Sequence, residues 1–290
     1  MVDLRPDLQA YARIAHVRWL TGDRDGAIEM MQAAVSASSP RDADAAAWVN
    51  SRLAGLQLQS GDTEQAQQTC AAALALRPDY PPALLLRGKM ALASDEAPNA
   101  FADLQRAARL NPLPEYQWVL AEALRAAGRE AEAAAQEVFI TQQGAAADPR
   151  TLSLYLATRG EDADLAVRLA EQELQERQDV FSHDTLAWAL AAAGRIEEAR
   201  PHLERALAEG TPDARLFFHA AVIEARAGQI EEAEHWFTCA AAMEDLLLPS
   251  ERALLLKLPD SFASGAAAPE TLPPSAANSL SASAIGVEGN

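Results

Sequence analysis

The side chains that could do chemistry are few, and their spacing suits little of it. The five histidines are His16, His183, His202, His219 and His235. No two stand three or four residues apart, the spacing that puts two imidazoles on one helix face around a metal. The acid pairs Glu197-Glu198 and Glu231-Glu232 recur 34 residues apart inside nearly identical stretches, AGRIEEA and AGQIEEA. A catalytic acid/base pair has no need to recur, whereas a helix N-terminus favours acids every time it is built. Cys70 and Cys239 are far apart and neither belongs to a CxxC pair. They read as apolar thiols buried on helices, not as a disulfide or a structural zinc site. Nucleophile elbow, zinc-protease, phosphate-loop and dinucleotide-loop signatures are all missing. The residues therefore imply no catalytic group, no metal and no cofactor, and the chain reads as a non-enzyme.

The elements that carry these residues form an array. Alanine dominates the 290 residues and aromatics are few, which favours helix throughout. Ala27, Ala66, Ala100, Ala133, Ala166, Ala199 and Ala233 recur 33 or 34 residues apart after a first gap of 39. Such a period signals a repeat architecture. Five residues before most of these alanines stands a turn glycine: Gly22, Gly61, Gly128, Gly194 and Gly228. Asp95 fills that slot in the third unit, and Gly160 lies six residues before its alanine in the fifth. Seven residues before the turn slot every residue is small: Ala15, Ala54, Gly88, Ala121, Ser153, Ala187 and Ala221. Each unit thus predicts helix, glycine turn, helix, with small residues where the two helices cross. Stacked hairpins of this kind bury a continuous core that one hairpin cannot.

The small residue on the first helix, the turn glycine, the marker alanine, a bulky residue four later (Met31, Leu104, Leu203, Phe237) and a closing proline resemble the tetratricopeptide repeat. The second, third, sixth and seventh units match best. The fourth and fifth depart, with Ile140 and Glu173 where a second small residue is expected, and residues 142–149 read as a looser joint. Pro201 should kink the second helix of the sixth unit slightly. The resemblance implies an all-α, right-handed superhelical solenoid. Its array spans residues 1–247, with repeats near 8–41, 47–80, 81–113, 114–146, 147–179, 180–213 and 214–247. A capping helix follows at 248–258, where Leu254, Leu255 and Leu258 fall at helical spacing. The Ser-, Ala- and Pro-rich stretch 259–290 reads as a disordered tail.

In arrays of this family the first helices line a concave face. Counting back 13, 10, 6 and 3 residues from each turn gives the slots that face it. These are His16, Trp19, Trp48, Lys89, Trp118, Arg125, Phe181, Trp188, Arg215 and Phe218, with Leu92, Glu122 and Asp184 beside them. Aromatic rings and arginine carry binding energy at interfaces, so the resemblance implies a peptide-binding groove there. The lysine/asparagine/arginine clamp that some members use on chaperone tails is not legible.

Charge narrows the partners. With 42 acidic against 24 basic residues the net charge is −18, which disfavours nucleic acid and anionic membranes. No apolar run is long enough to cross a bilayer, and the first residues show no signal peptide, so a cytoplasmic location is expected, or a periplasmic one if the N-terminus is incomplete. The expected role is a non-catalytic scaffold for a protein or peptide. The alternative is a bacterial envelope assembly factor serving pili, cytochrome c or lipopolysaccharide. Self-association through the end repeats stays open.

Overall fold

The computed structural model describes residues 7–94 and 97–264, and among them all regular structure is helical. Seven helical hairpins follow one another. They pair α1 (Leu8–Leu20) with α2 (Arg24–Ala37), α3 (Ala43–Gln59) with α4 (Thr63–Leu76), and α5 (Pro81–Ala93) with α6 (Ala97–Leu110). Next come α7 (Pro114–Ala126) with α8 (Glu130–Ala147) and α9 (Pro149–Arg159) with α10 (Ala163–Glu176). The last two are α11 (Val180–Ala192) with α12 (Ile196–Leu207) and α13 (Ala214–Arg226) with α14 (Ile230–Ala241). A 3₁₀ turn (Glu244–Leu246), α15 (Pro249–Leu255) and α16 (Leu258–Ser264) complete the described chain. The third-unit turn residue Asp95 lies outside the described residues.

The marker alanines hold the hairpins together. All seven are 0% exposed, because each sits where two helix backbones cross and nothing larger would fit. The turn glycines Gly22, Gly61, Gly128, Gly194 and Gly228 take φ between +71° and +83°, the left-handed conformation that closes the first helix. Aspartates start many helices. Asp7, Asp23, Asp42, Asp62, Asp148, Asp162, Asp179 and Asp213 each accept a hydrogen bond from a backbone N–H in the first turn. Where the turn reads Gly-Arg instead, the arginine takes over. Arg129 and Arg195 donate two hydrogen bonds each to Glu132 and Glu198 across one helical turn. The recurring acids all stand in the first turn of a helix, and Glu198 anchors that turn through Arg195. Helix α12 runs unbroken through Pro201.

Two expectations need correction. Residues 142–149 are not a loose joint. Helix α8 continues to Ala147, and Asp148 both ends it and caps α9, accepting from the Thr151 N–H at 3.0 Å and the Thr151 hydroxyl at 2.6 Å. Gly144 makes this possible: a Cβ there would lie 2.8 Å from the Leu152 Cβ, so only glycine lets α9 fold back so closely. Second, residues 259–264 belong to α16. Phe262 packs edge-on against Phe237 with centroids 6.0 Å apart, which gives the segment an apolar anchor its composition does not advertise. The rest of the expected tail, residues 265–290, lies outside the described residues.

Successive first helices pack side by side, α3 on α5, α5 on α7, α7 on α9, α9 on α11 and α11 on α13, and so form the inner layer of the solenoid. The array then meets itself. The Thr211 hydroxyl, between α12 and α13, donates to the Leu20 carbonyl at the end of α1 at 2.7 Å. Trp19 stacks on Phe181 with centroids 5.8 Å apart. A Cβ on Gly22 would come within 3.0 Å of the Gly210 carbonyl oxygen. These contacts form a seam between the first unit and the sixth.

Candidate binding face

The inner face divides into two halves. One half, built on α5, α7 and α13, is covered by the chain's own segment from the 3₁₀ turn through α15. The Ser250 N–H and hydroxyl donate to the Glu122 carboxylate on α7 at 3.1 and 2.7 Å, and the Trp118 indole donates to the same carboxylate at 3.3 Å. Arg215 on α13 donates to Glu251 at 2.6 Å, and its guanidinium lies 5.2 Å from the Trp118 ring centroid. The second oxygen of Glu251 accepts from the Leu248 N–H at 2.8 Å, closing the first turn of α15. Glu251 is 0% exposed. Burial pushes the Glu122 carboxyl up despite its three donors, with the Glu251 charge adding to the rise. Burial alone would depress the Arg215 guanidinium, but the Glu251 charge and hydrogen bond, with the Asp213 and Glu115 charges, together hold the group above its ordinary value. Leu254, Leu255 and Leu258 are buried as their spacing predicts. The segment does more than cap the last hairpin, since it reaches back across three units to α7. A cavity of about 460 Å³ remains beneath it, between Lys89, Leu92 and Ala126 on one side and Leu246 to Pro249 on the other.

The other half, built on α1, α3 and the N-terminal ends of α9 and α11, has no segment of the described chain laid over it. A cavity of about 360 Å³ opens there across the seam, walled by Trp19 and Phe181 and ringed by His16, Arg52, Arg150, Arg177 and Asp179. Arg177 pairs with Asp179 at 3.1 Å. Asp179 is held below the usual carboxylate range, because hydrogen bonds from Ser182 and the nearby Arg177 and Arg150 charges outweigh the effect of burial. His16 is held below the ordinary imidazole value by partial burial and then by the Arg52 charge, against the pull of Asp179.

The expected groove residues scatter between these settings. His16, Trp19 and Phe181 gather around the open cavity. Lys89 lines the covered one and pairs with Glu115 at 3.1 Å. Trp48 is exposed on α3. Arg125 turns away to Glu130 and Glu137, both on α8. Trp118, Trp188 and Phe218, expected on an open groove, are 2%, 1% and 0% exposed. The reason is the side-by-side packing of first helices, which draws large rings into the gaps between them. Trp188 donates to the Thr158 hydroxyl on α9 at 3.0 Å and stacks on His219 of α13 at 4.3 Å. Arg52, Arg150, Arg177 and Gln59 were not singled out by the slot count. Arg52 is one position off a slot, Arg177 precedes its helix, and the fifth unit's irregular turn hides Arg150.

Two histidine contacts join residues distant in sequence. His183 and His202 face each other across the sixth hairpin, Nδ1 to Nδ1 at 3.1 Å. His219 meets Asp184 at 2.9 Å inside the core. Among the described residues, no three His, Cys, Asp or Glu side chains are grouped to hold a metal ion. Nor is any described helix long and apolar enough to cross a membrane. Burial pushes the Cys70 thiol up to about 11, in keeping with an inert core position.

Comparison with known proteins places the architecture. Residues 18–90 and 185–243 each match a model of the tetratricopeptide repeat. No curated protein matches the chain in sequence. Among solved structures it is similar to a tetratricopeptide repeat protein from Parabacteroides merdae, at 18% identity over 87% of this chain and 98% of that one, with a TM-score of 0.45. It is also similar to human IFIT1, solved as a dimer with PPP-AAAA, at 17% identity over 91% of this chain and 75% of that one, with a TM-score of 0.53. At such identity the likeness concerns the fold alone.

Proposed function

Since the chain is a tetratricopeptide repeat protein, we propose that it is a non-catalytic scaffold whose inner face holds a segment of a partner protein along α1, α3, α9 and α11. Repeats of this kind make protein-interaction surfaces; the face and the kind of ligand are our reading. One observation carries it. The neighbouring half of the same face already holds a peptide segment, residues 244–255, through the side-chain contacts Ser250 to Glu122 and Arg215 to Glu251. The open half offers the same materials, aromatic rings with charged groups among them, and no segment of the described chain lies on it.

Site-specific photocrosslinking tests this. A crosslinking residue at His16 or Trp48, on the inner face, is expected to label the partner. One at Arg168, exposed on an outer helix, is not. Labelling from Arg168 alone would place the partner on the convex surface and end the reading.

A further inference from the structure

The open cavity holds charge that the described residues do not balance with ion pairs. Three guanidiniums, Arg52, Arg150 and Arg177, line it against one carboxylate, Asp179. Arg177 takes that carboxylate. Neither Arg52 nor Arg150 forms an ion pair with a described residue, and Arg150 instead lies 5.7 Å from the Phe181 ring centroid. This happens in a chain with 42 acids to 24 bases, where counter-charges are plentiful. A local excess of cations on so acidic a molecule calls for a negative group from outside.

The surroundings specify that group further. The planar fork of arginine matches the paired oxygens of a carboxylate or phosphate. His16, Trp19 and Phe181 form a stacked column, with successive centroids 6.1 and 5.8 Å apart, that fixes one wall. The Trp19 indole nitrogen in that wall is buried and has no hydrogen-bond partner among the described residues. It is a donor, so it too suits an oxyanion. A long polyanion would meet the net charge of −18 as soon as it left the cavity, so a single charged group fits better than a nucleic acid strand.

We propose that the seam cavity is an oxyanion subsite. It takes the carboxylate or phosphate of one acidic or phosphorylated residue on a bound segment, and its occupancy holds the first and second units against the fifth and sixth. The inference rests on the inner-face reading only for the source of the anion. Its position matters as much as its charge. The cavity residues come from both sides of the seam, whose other ties are the Thr211 to Leu20 hydrogen bond, the Trp19–Phe181 stack and the Gly22 approach to Gly210. An oxyanion shared by Arg52 on one side and Arg150 on the other would add a charged tie across it.

The test titrates the full chain with inorganic phosphate and, separately, with N-acetylglutamate amide, against sodium chloride at matched ionic strength. Hydrogen exchange is followed on both sides of the seam, at residues 19–22 and 210–212. At least one probe is expected to bind saturably and slow exchange on both sides together. Arg52→Gln, a change at an exposed side chain that leaves the fold intact, is expected to weaken that probe about tenfold. Arg150→Gln is the independent second variant. Binding by phosphate alone would identify a phosphorylated residue as the source, and binding by the glutamate amide an acidic one. A response no different from that to chloride, or an affinity equal to wild type in both variants, would overturn the subsite. Crosslinking from His16 would still report on the inner face, so the two readings can fail separately.

Discussion

The covered and open halves of the inner face are built from the same kind of helix, yet they treat charge in opposite ways. On α7 and α13 each buried charged group finds its partner within the chain: Glu122 accepts from Ser250, and Arg215 binds Glu251. On α3 and α9 the guanidiniums of Arg52 and Arg150 form no ion pair with a described residue, and Asp179, the carboxylate nearest Arg150 in the cavity, is taken by Arg177. The aromatic residues differ in the same way. Trp118 is sealed beneath Arg215, whereas Trp19, 7% exposed, turns its remaining surface to the open cavity. A solenoid can thus hold its own segment at one place on its inner surface and stay ready for another at the next. What separates the two is whether the described residues supply direct partners for the charged groups.

The largest expected effect comes from breaking the covered half. Glu251→Ala removes the partner of Arg215 and the acceptor for the Leu248 N–H, leaving a half-buried cation unpaired. The loss should be about 3 kcal/mol in denaturant unfolding, with faster hydrogen exchange in α7 and α15. If exchange in α7 stayed slow, the segment would be held by its leucines alone. Next comes the seam. Thr211→Val keeps the shape but removes the hydrogen bond to Leu20, which should cost about 1 kcal/mol and speed exchange around residues 19–22. Smaller again is Arg52→Gln without any ligand. Since no ion pair is lost, stability should stay within about 0.5 kcal/mol of wild type, in contrast to Glu251→Ala. A loss as large as that of Glu251→Ala would mean the open half is balanced after all.

The smallest effect is a pH dependence beside the open half. His183 and His202 both lie below the ordinary value of 6.5. Partial burial is the main cause, followed by Arg205 for His183 and by His183 itself for His202, with Asp179 and Glu171 pulling the other way. The folded protein therefore binds protons less readily than the unfolded chain. The pair's contribution is complete above about pH 6.5 and is lost as pH falls below it. The Tm should drop between about pH 7 and pH 5.5, and His202→Asn should flatten that drop.

The repeat was legible because it rests on local rules. Seven alanines at nearly constant spacing mark seven helix crossings, and the turn glycines and aspartate caps follow from backbone geometry alone. The role of the recurring glutamates was legible for the same reason. What escaped the sequence depends on sums or on distant pairs. Closure of the seam accumulates small rotations over six units, and no single residue encodes it. The contact between Ser250 and Glu122 joins residues 128 positions apart. Trp188 and Phe218 sit at slots that face the groove by counting, but the closeness of α9, α11 and α13 decides that they are enclosed. Residues 142–149 misled because glycine and alanine read as loop composition, while Gly144 serves a close helix approach.

That approach has a consequence for alignment. Because Asp148 is at once the end of α8 and the cap of α9, nothing between the fourth and fifth units can absorb a change in length. One residue added within α8 would turn everything beyond it by about 100° about the helix axis. Phe181 would swing away from Trp19, and Thr211 from Leu20. The joint that looked loosest in the sequence therefore sets the angle at which the two ends of the array meet.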